Sequence, residues 1–195
     1  VLVVAKESPH QSVKDLMTWA KANPGKAFYG SAGIGASNHL SGELFAQKAG
    51  LTLNHVPYKG NAPAMTDVIG GQLTMMFDIV GGARPHIGGG RVRALAVTSL
   101  QRNPALPEVP TMAESGLPGF DVGGFYGLYG PPRMPAALVS RLNEATRRAL
   151  QQPELQKAWV EQGYVIWTGA PEALAQRAAA EREMWAPAAK GITVD

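Results

Sequence analysis

The stretch from Phe28 to Phe45, FYGSAGIGASNHLSGELF, constrains this chain more than any other. A short apolar strand runs through Gly30, Gly33 and Gly35 into a helix, so the backbone must turn sharply and pass close to its neighbours before it coils. A helix start carries unpaired N–H groups and the positive end of the peptide dipole, which makes this layout an anion cradle. Ser31, Ser37 and Asn38 add side-chain donors, and Ser37 or Asn38 suits the helix N-cap, with His39 and Leu40 opening the first turn. The competing reading is a plain strand-to-helix turn whose glycines serve close packing. A P-loop is excluded, because Gly35 is followed by Ala36 and Ser37 rather than by lysine and a hydroxyl. A dinucleotide site fits poorly: the window from Gly33 ends at Asn38, and the next strand ends in His55-Val56-Pro57-Tyr58 without an acidic residue. A compact anion such as a carboxylate needs only the N–H cluster and a few hydroxyls.

The rest of the chain alternates strand and helix. Val1 to Ala5 is an apolar run, and Ser12 with Asp15 forms a capping-box pattern ahead of Val13, Leu16, Met17 and Ala20 on one helical face. Gly50 stops the helix of the glycine loop, and strands are expected over 51–56, 73–77 and 92–98. Asn61 is expected to cap a helix that turns Met65, Val68 and Ile69 inward, while Pro85 to Gly90 reads as a link. This pattern predicts an α/β fold with an open, mostly parallel sheet flanked by helices. Ligands of such sheets lie outside the C-terminal strand ends, so the loops after Tyr29, Val56, Phe77 and Thr98 are expected on one rim. Prolines 104, 107, 110 and 118 mark 99–121 as a wrapping loop. Beyond it the sequence predicts a strand over 122–129, helices from Pro135 and Pro153, a strand over 164–168 and a last helix over 171–186. That tail reads as part of a second, incomplete lobe.

Composition narrows the function. The net charge of +3 is not gathered into a basic stripe, so nucleic acid is not an expected partner. The absence of cysteine excludes disulfides and thiolate metal sites, and no residue pattern implies a cofactor. His10, His39, His55 and His86 have neither chelating spacing nor an adjoining acid, so polar packing is the expected role of all four. Trp159, Trp167 and Trp185 are expected to anchor the tail. Because Val1 stands inside an apolar run, the chain is expected to be a trimmed piece of something longer.

Several long motifs in order, FYGSAGIGASNHLSGELF, HVPYKGNAPAMTDVIGGQL, MMFDIVGGARPHIGGGRVRALAVTS and RNPALPEVPTMAESGLPGF, with the closing run from PPRMPAALVSRLN through GAPEAL, resemble one family over the whole chain. It is the extracytoplasmic solute receptors of tripartite tricarboxylate transporters, often called Bug proteins. The resemblance implies a hinged two-lobe fold like the type II periplasmic binding proteins. It also implies a periplasmic location, a small organic carboxylate as ligand and the membrane components of the transporter as partners. It puts the carboxylate loop on Ser31, Ala32, Gly33, Ile34, Gly35, Ala36, Ser37, Asn38 and His39. A second rim loop falls on Tyr58, Lys59 and Gly60, and a third on Asp78. Asp78 would repel a close anion, so it is expected to accept hydrogen bonds from rim backbone or from a ligand hydroxyl or amine. Residues 1–122 would then form one lobe and 123–195 the returning part of the other, whose N-terminal portion is missing. Two other readings stay open: an enzyme or effector-binding regulatory domain on the same scaffold, and self-association of the truncated chain.

Overall fold

The computed structural model describes residues 1–190 and 192, so the last residues of the 123–195 segment lie outside this description. The elements in order are β1 (Leu2–Ala5), α1 (Val13–Ala22), β2 (Ala27–Ser31), α2 (Ser37–Ala49), β3 (Leu53–Pro57), α3 (Asn61–Ile69), β4 (Met75–Phe77), α4 (Val80–Gly88) and β5 (Val92–Ala96). Three more helices follow: α5 (Ala136–Leu150), α6 (Pro153–Glu161) and α7 (Pro171–Ala189). The strands form one sheet in the order β3-β2-β4-β1-β5. β2 is parallel to both β3 and β4, whereas β1 is antiparallel to β4 and β5. Strands β2 to β5 therefore point one way, with their C-terminal ends on one rim, and β1 is inserted against them.

Side-chain alternation along the strands divides the core between the two faces. Leu2 and Val4 of β1, Tyr29, Met75 and Phe77 pack with α1 and α2 through Val13, Leu16, Leu44 and Phe45. Val1, Val3 and Met76 pack on the opposite face with Ala64, Met65 and Val68 of α3 and Ala83 of α4. Gly30 lies on that second face, where an added Cβ would meet Leu73 Cδ1 at 2.6 Å and Ala64 Cβ at 3.0 Å. A glycine there lets α3 close onto β2.

The helix boundaries follow local chemistry. Ser12 caps α1 by accepting the Asp15 N–H at 3.1 Å, and Asp15 answers by accepting from Gln11 N–H at 3.2 Å. Gly50, at φ 62°, ends α2 with the Leu51 N–H donating to Ala46 O at 2.9 Å. Three expectations need correction. The segment around Pro85 is helical: Gly81, Gly82 and Pro85 are poor helix formers, but burial of Ala83 against the sheet overrides propensity. Residues 122–129 and 164–168 are not strands, because no neighbouring strand among the described residues offers them a ladder. Trp159 and Trp167 are exposed, and only Trp185 packs against the core.

The loop from 99 to 121 wraps the sheet as expected, anchored by the buried Leu106, Val109, Met112, Leu117 and Phe120. The C-terminal end of α7 returns to α2, where Ala188 joins the first core cluster and Gln47 Nε2 donates to Pro187 O at 3.2 Å.

Candidate functional site

Three helices start on the rim where β2, β3 and β4 end. The glycine loop after β2 depends on backbone that only glycine adopts easily, with φ 141° at Gly33 and 77° at Gly35. Much of its hydrogen bonding is internal. Gly33 N–H donates to Ser31 Oγ at 3.1 Å, Ala36 N–H to Gly33 O at 3.2 Å, and Gly35 N–H to His39 Nδ1 at 3.0 Å. Ala32 N–H donates to Asn38 Oδ1 at 3.1 Å. The β3–α3 loop clasps this one through Tyr58 N–H to Ser31 O at 3.0 Å and Gly60 N–H to Ala32 O at 3.2 Å.

This bonding revises three sequence expectations. The N-cap of α2 is Ala36, not Ser37 or Asn38, and no side chain caps it. The Ala36 carbonyl already accepts Leu40 N–H at 3.0 Å, which starts the helix one residue earlier. In the same way Gly60 is the N-cap of α3, and Asn61 is its first residue. Ser31, expected to offer a hydroxyl to a ligand, is fully buried, and its Oγ is engaged by Gly33 and, at 2.6 Å, by His55 Nε2. Among the described residues, Ile34, Ser37 and Asn38 keep N–H groups without a protein acceptor, and the exposed Ser37 hydroxyl is free beside them. Ile34 is 46% exposed and Ser37 is exposed as well, whereas Asn38 is buried.

Beneath the loop lies a packed polar layer. The His39 and His55 rings stack at 3.7 Å, with Tyr29 against His55 at 5.0 Å. Tyr29 Oη donates its one proton to Glu43 Oε1 at 2.5 Å, with the His39 carbonyl oxygen 3.3 Å away as an alternative acceptor. Burial lowers the pKa of both histidines; for His55 burial, helped by the neighbouring His39, brings it down to about 4. Both rings are therefore neutral at pH 7. Since the Gly35 N–H points at Nδ1 of His39, the ring proton of His39 belongs on Nε2, 3.9 Å from Glu43.

Asp78, buried at the end of β4, accepts Ile79 N–H at 2.8 Å at the start of α4 and also accepts from Asn61 Nδ2. Asn61 Oδ1 in turn accepts from Asn38 Nδ2 at 3.0 Å. Sequence reasoning left Asn61 out of the site, and its place as first residue of a helix one strand away is the signal that could have found it. Burial pushes the Asp78 carboxyl above its ordinary 3.8, against the pull of Ile79 and Asn61. Tyr58 turns its hydroxyl away from the rim to Asp67 at 2.6 Å, and this bond raises its pKa to about 12. Lys59 stands exposed at the turn tip. The later chain borders the same rim. A Cβ on Gly124 would lie 3.7 Å from Ser37 Oγ, one on Gly81 would meet Gln162 O at 3.0 Å, and the Tyr164 hydroxyl, its pKa raised by burial and by Tyr126, also feels the Asp78 charge.

The open α/β sheet with its helix starts along one strand-end rim matches solved structures of the periplasmic solute-binding class. An R. palustris protein solved with adipate matches with a TM-score of 0.91 and 33% identity, over 99% of this chain and 65% of that one. The periplasmic binding protein BugD matches at 0.86 with 36% identity, over 97% and 64%. MatC from Rhodopseudomonas palustris, solved with bound malate, matches at 0.88 with 29% identity, over 96% and 65%.

Residues 1–193 match the profile of the tripartite tricarboxylate transporter family receptor, and the chain belongs to that family. Among curated relatives, a UPF0065 protein of a Pseudomonas species is 44% identical over 95% of this chain and 55% of its own length. BugT of Bordetella pertussis is 32% identical over 95% of this chain and 57% of its own. The chain thus spans little more than half the length of these relatives.

Proposed function

We propose that this chain is the ligand-holding part of a non-enzymatic receptor that captures a small organic carboxylate in the periplasm and presents it to the membrane components of a tripartite tricarboxylate transporter. The observation that carries this reading is the uncapped start of α2, where the Ile34, Ser37 and Asn38 N–H groups and the Ser37 hydroxyl stand without protein acceptors among the described residues. A carboxylate there gains several charge-assisted hydrogen bonds and the favourable end of the helix dipole. Adipate and malate, the ligands named for two structural relatives, are carboxylates of that size. Ser31, Ala32, Gly33, Gly35, Ala36 and His39 act as the frame of the loop, Tyr58 and Gly60 clasp it, and Lys59 adds positive charge at the rim. Asp78 organises rim backbone.

Residues 1–122 serve as one lobe and 123–195 as part of the other, with the end of α7 tied back to α2. The exposed, unpaired run at 123–133 and the absence of buried residues in α5 and α6 support that division. Among the described residues no helix is long and apolar enough to cross a membrane.

An amide NMR titration with succinate tests the site. Saturable shifts centred on Ile34, Ser37 and Asn38 are expected. Shifts confined to Lys59 and its neighbours would reject the helix start in favour of loose surface attraction.

A further inference from the structure

The amides of the rim form a directed chain. Asp78 Oδ1 can only accept, so it turns the Asn61 Nδ2 group toward itself. That orientation leaves Asn61 Oδ1 facing the other way, where it accepts from Asn38 Nδ2 at 3.0 Å. Asn38 Oδ1 is then the only end of that side chain left to face the glycine loop, and it accepts Ala32 N–H and His39 N–H, each at 3.1 Å. Every donor in the chain points toward Asp78. Without an acceptor at position 78 the Asn61 amide is free to rotate end for end, which would set its Nδ2 against the Asn38 Nδ2 donor. Asn38 would then be held only through its Oδ1 by the Ala32 and His39 N–H groups, with its Nδ2 end released.

We propose that Asp78 and Asn61 are positioning residues that set the shape of the carboxylate loop through Asn38, from one helix start to the next, without touching the ligand themselves. The inference rests on the carboxylate reading of that loop for its function, but not for its geometry. The role needs an acceptor oxygen at 78 rather than a charge, which explains how a buried acid is tolerated beside an anion site. A protonated Asp78 still offers a carbonyl oxygen to Asn61. Space is also part of the device. A Cβ on Gly82 would come 2.9 Å from Asp78 Oδ2, so glycine one turn along α4 leaves room for the carboxyl to hold its orientation.

Hydrogen exchange of the Ala32 and His39 amides tests this without any ligand. Asp78→Ala is expected to speed exchange at both by about tenfold, the equivalent of one lost hydrogen bond, although the substitution lies beyond β4 and the loop beyond β2. Asp78→Asn, which keeps the acceptor, is expected to restore wild-type protection. Asn61→Ala, at the first position of α3, cuts the chain midway and serves if Asp78→Ala does not fold. Unchanged exchange at Ala32 in the folded Asp78→Ala or Asn61→Ala protein would overturn the proposal, as would equal loss in Asp78→Asn and Asp78→Ala. Succinate titration of the same variants gives the functional consequence, with affinity weakened in Asp78→Ala and retained in Asp78→Asn. A wild-type loop that ignores succinate would sink the carboxylate reading alone, since the exchange data decide the positioning role separately.

Discussion

His39 and His55 show how a single residue's environment sets what the site can do. Their stacked rings are kept neutral by burial, and His39 uses its unprotonated Nδ1 to hold the Gly35 N–H. Protonation would turn that acceptor into a donor facing another donor, so acid should loosen the loop. The stability consequence has a definite sign. The folded pKa of His55, about 4, lies below the ordinary 6.5, so between those values the unfolded chain binds more protons than the folded one. Stability from this residue is therefore complete above 6.5 and is lost as the pH falls toward about 4. Asp78, with its raised pKa, works in the opposite sense and loses stability as pH rises from 3.8. With His10, His39 and His55 all lowered by burial and Asp78 acting against them, a net fall in melting temperature is expected on acidification from 6.5 to about 4, and His55→Gln is expected to reduce it. A melting temperature that stays flat across that window would contradict the account. The histidine pair was not legible in the sequence, because its members are brought together only when α2 settles over the β2–β3 register that pairs Tyr29 with His55.

At the scale of elements, α2 carries the candidate site, and Gly42 fixes how close it comes to the sheet. The three atoms nearest a Cβ placed there all belong to the Tyr29 ring, which is fully buried and tied by its hydroxyl to Glu43. Gly42→Ala should gain about 1 kcal/mol of helix propensity. It should lose more through overpacking, which typically costs about 1–3 kcal/mol, because the ring has nowhere to move. Urea unfolding is expected to show net destabilisation, and a more stable variant would mean that helix and sheet can separate cheaply. Elements with strong local signals were readable in advance: the Ser12 capping box, the Gly50 stop, and the apolar strands. The helix α4 was not, since its glycines and Pro85 argue locally for a link and only the burial of Ala83 argues otherwise. The glycine turn ahead of α2 was legible, yet not which of its backbone donors remain open. Ser31 looks like a ligand hydroxyl in sequence and becomes a buried brace once His55 and Gly33 are placed around it.

Over the whole molecule, the first 122 residues build a sheet with a covered core on each face, whereas the tail leaves apolar side chains in the open. Tyr126, Leu128, Tyr129, Val165 and Trp167 are all more than half exposed. The strands expected at 122–129 and 164–168 have the right composition but no ladder among the described residues, so composition alone misled there. The tail still borders the rim, through Gly124 beside Ser37 and Gln162 beside Gly81, so a ligand at the start of α2 would sit between the two parts of the chain. The most direct test is a crystal structure of this chain with succinate. The account predicts one carboxylate at the start of α2, its oxygens about 2.7–3.1 Å from the Ser37 and Asn38 nitrogens. A carboxylate bound elsewhere while that helix start remains empty would contradict it.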